Sequence, residues 1–281
     1  MSHSRYSPAR PVLLKDVPQW DFETDVAIVG FGGAGACAAI EAAEAGAEVM
    51  ILELASASGG STAMSSGEVY LGGSGGTRVQ KACGFEDSTE NLVNFLMAAQ
   101  GPQADAAKIH CYAEGAVAHF DWLVAHGVPF KDSFLDKRAI VALTDDGLLY
   151  TGSEKAWPFR DIAKPVPRGH NLQVVGDNGG PLLMKILAEN IHQHPNVTVH
   201  FDTRALCLIA DEHNAVHGIV VRIDMKERFI RARKGVVLCA GGFIMNKDML
   251  EKYAPKLLRA NMPIGNPGDT GTGIQMGISV G

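Results

Sequence analysis

Cysteine is scarce in this chain of 281 residues, and its five copies, Cys37, Cys83, Cys111, Cys207 and Cys239, are odd in number, scattered and without paired ligand spacing. A disulfide framework is not expected, nor is a metal site, and reduced thiols point to the cytoplasm. Basic charge is short as well: 25 Lys and Arg stand against 31 Asp and Glu, a net charge of −6 with no compensating basic block. Nucleic acid is not an expected partner. Residues 1–11 hold no apolar core for a secretory signal, and no window reaches the ~18 uninterrupted apolar residues that a membrane span needs. An integral membrane segment is not expected. What the chain does have is 46% hydrophobic residues and 32 glycines gathered in short turns without a period. That is ample for a globular core, in one large domain or two modest ones.

The most informative stretch is 25–35, an apolar run that breaks at Gly30 and resumes as an alanine-rich helical pattern from about Gly33 to Ala45. It reads as strand, tight turn, helix. Gly30, Gly32 and Gly35 make a GxGxxG, in which the first permits the turn, the second lets a pyrophosphate approach the backbone, and the third lets the helix lie against the strand. The helix start offers N–H groups and the positive end of a dipole, which suit a phosphate. A second apolar strand over 48–53 ends in Glu53, about 20 residues beyond the glycines, where a dinucleotide-binding βαβ unit places its ribose acceptor. The same glycines also suit an ordinary strand-to-helix turn with Glu53 as a solvated strand end.

Residues 1–22, rich in Pro and polar groups, are expected to form an arm draped over the domain. After Glu53, small residues over 55–77 supply backbone donors and hydroxyls able to close over a flat polar cofactor, or else make a linker. Helices are expected from Ser88, with Leu92, Phe95 and Leu96 on one face, over 104–126 up to Gly127, and over 181–194. Between 130 and 178 the pattern fades except for a hairpin over 140–150 turning at Asp146-Gly147, so this region looks inserted. Strands over 197–201, 204–210, 216–223 and 228–233 follow, the last three as a small antiparallel meander. A buried strand then runs to Ala240, Gly241 and Gly242 and rejoins the parallel sheet. A glycine-lined turn and helix occupy 268–281. The expected fold class is α/β: a Rossmann-like parallel sheet with an antiparallel meander and a helical insertion over about 85–178.

Three motifs in this order, GxGxxG with Glu53, the loop from Gly59 to Gly67, and 237–242, resemble the FAD-binding domain of the fumarate reductase and succinate dehydrogenase flavoprotein superfamily. Within it, 70–84, 154–160 and 167–170 are most similar to 3-ketosteroid dehydrogenases of the Δ1 and Δ4-(5α) types. The resemblance implies FAD as cofactor, with Gly30, Gly32 and Gly35 at the pyrophosphate and Glu53 at the adenosine ribose. It further implies Ser61, Thr62 and Gly67 on the flavin side, Ala205 main chain toward adenine, Ala240, Gly241 and Gly242 along the dinucleotide, and Asp269 near the isoalloxazine. Gly33, Ala34, Leu54, Gly60 and Ser66 complete the expected cofactor-binding set. Where covalently flavinylated members carry a His, this chain has Ser61, so noncovalent FAD is expected. Asp269 has a second reading, as a cap of the last helix.

The same resemblance implies a small-molecule substrate, a steroid or similar cyclic ketone, dehydrogenated by hydride transfer to flavin. A fumarate-reductase-like enoate reductase and a noncatalytic FAD-binding module are the alternatives. Such an enzyme needs a base and an electrophile. Tyr70 and Tyr150 sit in loops able to face a substrate, His170 is a weaker acid–base candidate, and no residue is assigned a catalytic role. The superfamily also implies a substrate-capping domain and a C-terminal return beyond Gly281.

Overall fold

The computed structural model describes residues 5–137, 139 and 143–281. In chain order its elements are β1 (Val12–Leu13), β2 (Phe22–Val29), α1 (Gly33–Glu44), β3 (Val49–Leu52), α2 (Gly60–Ala63), β4 (Val69–Tyr70), α3 (Arg78–Ala82), α4 (Thr89–Gln100) and α5 (Ala106–Ala125). There follow β5 (Phe134–Leu135), β6 (Leu148–Leu149), α6 (Phe159–Ile162), β7 (Gly169–His170), α7 (Gly179–Gln193), β8 (Val197–His200), β9 (Arg204–Ala210), β10 (Val216–Ile223), β11 (Lys226–Leu238), α8 (Lys247–Tyr253) and α9 (Thr272–Ile278). Two compact units contain them: Met1–Met64 with Leu187–Gly281, and Ser65–Ile186.

The first unit is built on a seven-stranded sheet in the order β1-β9-β10-β11-β2-β3-β8. The strands β11, β2, β3 and β8 run parallel, and β9, β10 and β11 are antiparallel neighbours. The fold is thus the Rossmann-like α/β class, with one refinement. Sequence pattern separates 228–233 from the strand leading to Ala240, because Arg233, Lys234 and Gly235 interrupt the apolar run. In the structure both belong to β11. A register shift between Ala232 and Gly235 absorbs the interruption while β2 pairs with the strand on either side of it. The meander is therefore an extension of the parallel sheet.

The core of this unit follows from strands buried on both faces. Ile28, Ile51, Ile40, Ala36 and Ala39 are wholly buried. The small residues of α1 allow it to approach β2 closely: a Cβ on Gly35 would lie 2.0 Å from the Gly30 carbonyl oxygen. The N-terminal arm lies along the far edge, where β1 pairs in parallel with β9, and Tyr6, Val12, Leu14, Val17 and Trp20 pack on Leu206, Cys207, Ile209, Val220 and Phe229.

The second unit holds α4 and α5, capped by Ser88 and Asp105 through bonds to Asn91 N and Lys108 N. Leu92 and Phe95 are buried on α4 and Leu96 is half-buried. Its sheet has the order β4-β7-β6-β5, which links segments distant in sequence. The second arm of the expected 140–150 hairpin is β6, paired antiparallel with β7 and parallel with β5. Residues 140–142 of the first arm lie outside the described residues. Among the described residues, no helix is long and apolar enough to cross a membrane, and no group of His, Cys, Asp or Glu is placed to hold a metal ion.

Candidate cofactor site

The site is set by strand register. Val29 is paired with Leu52 on one side and Leu238 on the other, so β2, β3 and β11 end level. Open α/β sheets bind ligands beyond such carboxyl ends. Gly30 N donates to Leu52 O (2.9 Å) and Cys239 N to Val29 O (2.8 Å), which locks the three exits together. Gly30 has φ of +103°, and a Cβ there would sit 2.4 Å from the Cys239 carbonyl oxygen. No L side chain fits that bend.

Beyond it, α1 begins at Gly33 with Gly32 as an N-cap that supplies no side-chain acceptor. Its first-turn donors and positive dipole end suit an anion. One of these donors is already engaged: Gly33 N donates to Thr62 Oγ1 (3.1 Å). The loop bearing Thr62 is pinned to the turn by Gly59 N donating to Phe31 O (2.9 Å). A Cβ on Gly60 would come within 3.2 Å of Gly32 Cα. Thr62 is therefore a structural support of the glycine turn.

Glu53 lies beside the first bend, its Oε2 accepting from Phe31 N (2.6 Å) and its Oε1 from Ala55 N (2.7 Å). Each oxygen retains a lone pair for a further donor such as a ribose hydroxyl. Thr203 N donates to Glu53 O (2.8 Å) and Asp202 N to Ala55 O (3.0 Å), which brings the start of β9, and so Ala205, to the same edge. Leu54 and Ala34 are exposed.

Asp269 is the junction of the remaining segments. Its Oδ2 accepts from Ser61 Oγ (3.1 Å) and Asn266 N (3.1 Å), and its Oδ1 from Gly242 N (3.2 Å). A Cβ on Gly241, whose φ is +75°, would lie 2.2 Å from Asp269 Oδ1. The N-cap of α9 is Gly271, with no side-chain capping bond, so Asp269 does not cap that helix. It clasps three loops instead. Asn266, absent from the sequence-derived set, shares in this: its side-chain Oδ1 accepts from Gly268 N (2.7 Å), and the turn-forming run from Asn266 to Asp269 is the signal that marks it.

Ser66 and Gly67 belong to the second unit, where a Cβ on Gly67 would strike Gly179 and Gly180. The acid–base candidates lie in that unit too. His170 is wholly buried, with Nε2 against Thr77 Oγ1 (2.7 Å) and Nδ1 against Arg168 O (2.9 Å), and burial pushes it down to about 4. It is a neutral, fully engaged core group. Tyr150 Oη donates to Pro165 O (3.5 Å) and its ring carries Lys155 Nζ at 3.9 Å. In the first unit, burial pushes the Cys37 thiol up to about 11 and raises Cys239 as well, so neither is an activated nucleophile.

The family described as FAD binding domain matches residues 25–281. This chain belongs to it. The FAD-binding domain described here is similar to the 3-ketosteroid-Δ4-(5α)-dehydrogenase of Rhodococcus jostii RHA1, solved with 4-androstene-3,17-dione, at 45% identity and a TM-score of 0.91 over 97% of this chain and 56% of that one. It is 33% identical over 58% of its length to the 3-oxo-5-alpha-steroid 4-dehydrogenase of Comamonas testosteroni, covering 31% of that protein. It is 26% identical over 92% of its length to the fumarate reductase (cytochrome) of Shewanella frigidimarina, covering 40% of that protein. The chain therefore spans less than two thirds of each of these relatives. Membership makes it an FAD-binding domain of the fumarate reductase and succinate dehydrogenase flavoprotein superfamily, an oxidoreductase family. The side-chain-free cradle at Gly30, Gly35 and Gly241, the start of α1 with its glycine N-cap and the acceptor at Glu53 fit that cofactor.

Proposed function

We propose that this chain is the cofactor-binding portion of an FAD-dependent dehydrogenase that removes two hydrogens from adjacent carbons beside the ring ketone of a 3-ketosteroid. The observation that carries this reading is the 45% identity, sustained over 97% of the chain, to an enzyme solved with a ketosteroid. The 26% identity to a fumarate reductase is weaker support for the reverse reaction on an enoate. Bound FAD supplies a ring that accepts a hydride.

The chain's own residues have holding and orienting roles. Gly30, Gly32, Gly33, Ala34 and Gly35 receive the pyrophosphate at the head of α1, with Thr62 bracing the turn through Gly33 N. Glu53 accepts from the adenosine ribose, with Leu54 and Ala205 beside it. Gly60, Ser61, Ser66 and Gly67 serve the flavin side, and Ala240, Gly241 and Gly242 follow the dinucleotide under the control of Asp269. Ser61 Oγ is a hydroxyl that donates to Asp269, which supports a noncovalent cofactor. An arm over 1–22 and an insertion over about 85–178 within a domain of 23–281 remain our division of the chain.

Anaerobic mixing of the protein carrying this chain with a saturated 3-ketosteroid tests the reading. Bleaching of the flavin absorbance is expected. Reoxidation of reduced flavin by fumarate, without bleaching by steroid, would favour the enoate reductase, and FAD binding with neither response would favour a noncatalytic module. Acid precipitation should leave the flavin in the supernatant.

A further inference from the structure

The first unit carries a projecting lobe that the cofactor site does not use. It leaves the domain at the end of α8 and returns at the Asp269 clasp. Its two ends are anchored together: Met245 N donates to Asp269 O (2.9 Å), Asn246 Nδ2 donates to Thr270 O (2.8 Å), and a Cβ on Gly265 would lie 2.6 Å from Ile244 Cγ2. Met249 and Leu250 hold α8 in the core. Beyond them the chain turns outward, and every residue over 251–264 except Ala254 is exposed. Pro255 stops α8 and opens a 3₁₀ turn over Pro255–Arg259 that buries no residue.

The exposed side chains are not those of an ordinary polar loop. Ile264 is 88% exposed, Met262 70% and Leu257 52%, and Tyr253 and Leu258 are exposed as well. Single exposed apolar residues need no explanation, but such a concentration marks an interaction site. Its charge is also distinctive. The chain as a whole is acidic, at −6, yet the lobe has the cations Lys252, Lys256 and Arg259, and no Asp or Glu occurs over 252–268. The flanking acids are engaged: Glu251 pairs with Lys247 (3.6 Å), and Asp269 accepts from Ser61, Asn266 and Gly242.

This mixture distinguishes between kinds of partner. The core of a protein interface is depleted of Lys, whereas at a lipid surface apolar side chains enter the headgroup boundary while Lys and Arg reach back to the phosphates. A tyrosine suits the same boundary, and Tyr253 carries Lys252 Nζ at 4.8 Å from its ring centre. The local positive charge is complementary to an anionic leaflet and not to a zwitterionic one. With seven residues, α8 is far too short to cross a bilayer, so the contact is with the surface. We propose that the lobe over 252–264 docks the protein on an anionic lipid surface, Leu257, Met262 and Ile264 entering the headgroup boundary and Lys252, Lys256 and Arg259 meeting lipid phosphates. Because the lobe rejoins the fold at Asn266 and Asp269, docking holds the cofactor loops near the lipid.

Sedimentation of the whole protein carrying this chain with lipid vesicles tests the proposal. Binding is expected to phosphatidylcholine vesicles containing about one-third phosphatidylglycerol, weakening steeply in high salt, and little binding to phosphatidylcholine alone. Replacing Lys256 and Arg259 by Gln should weaken it about 5-fold for each charge removed. Ile264→Ser should weaken it by about tenfold. All three positions are exposed, so urea melts of these variants should match the wild type. In Ile264→Trp the added indole should shift its emission to the blue on mixing with the anionic vesicles, and an unmoved spectrum contradicts insertion. Failure of the whole protein to sediment with anionic vesicles overturns the proposal, as does binding that neither the charge nor the apolar substitution weakens. A dimer lost in Ile264→Ser, without vesicle binding by the wild type, would show that a second copy covers the lobe. Resistance of Lys256 and Arg259 to trypsin in a monomer that ignores vesicles would show that the rest of the protein covers it.

Discussion

Replacing Asp269 with Asn tests whether the clasp holds the cofactor loops. The side chain keeps its shape but has one acceptor oxygen in place of two. In the less costly orientation it keeps Ser61 Oγ and Asn266 N on its oxygen and turns its amide toward Gly242 N, a donor facing a donor. One hydrogen bond to a charged acceptor is lost, at about 1.5–3 kcal/mol, and the other two become neutral-acceptor bonds. About 2–3 kcal/mol of loop ordering is then removed, equivalent to roughly 30- to 150-fold in population of the closed arrangement. If FAD binds that arrangement, its apparent affinity falls by up to the same factor. Titration of the apoprotein with FAD, followed by flavin fluorescence, measures the loss, and a urea melt without FAD reports any global damage. An affinity within about threefold of wild type would refute the clasp, because loops already ordered without Asp269 need no such junction.

Three further outcomes follow from the same geometry. Gly35→Ala places a methyl 2.0 Å from the Gly30 carbonyl oxygen, so α1 must move away from β2; a cost of at least about 1–3 kcal/mol and loss of FAD retention on gel filtration are expected. Glu53→Gln forfeits an acceptor at either Phe31 N or Ala55 N and any charge-assisted bond to a ribose, and should weaken FAD roughly tenfold in the same titration. Asp87→Asn leaves the wholly buried Arg168 guanidinium without its counter-charge, and chemical unfolding should show a loss of about 3–5 kcal/mol; a loss below about 1 kcal/mol would contradict the buried pair.

The sequence was most legible where local pattern and tertiary role coincide. The strand ending at Val29, the bend at Gly30, the helix from Gly33 and the acid at Glu53 are all imposed within one βαβ unit, so periodicity and glycine chemistry suffice to place them. The same holds for β9 and β10, whose bounds follow apolar runs closed by turn residues. Legibility falls where a distant segment decides. The break at Arg233, Lys234 and Gly235 is overridden by β2, which supplies hydrogen-bond partners on both sides of the shift. Asp269 reads locally as a helix cap, yet its partners Ser61 and Gly242 are far away in the chain. The short strands of the second unit pair as β4-β7-β6-β5, an order that no local signal records. His170 reads locally as an acid–base candidate, yet its two ring nitrogens are engaged by Thr77 and the Arg168 carbonyl, both contacts that only the tertiary fold supplies.

A crystal structure with FAD bound is the most direct test of the central claim. The pyrophosphate is predicted at the head of α1 beside Gly32 and Gly33, with an adenosine ribose hydroxyl within hydrogen-bond distance of the Glu53 carboxylate. A ribose that makes no contact with Glu53, or a pyrophosphate bound away from the first turn of α1, would contradict it.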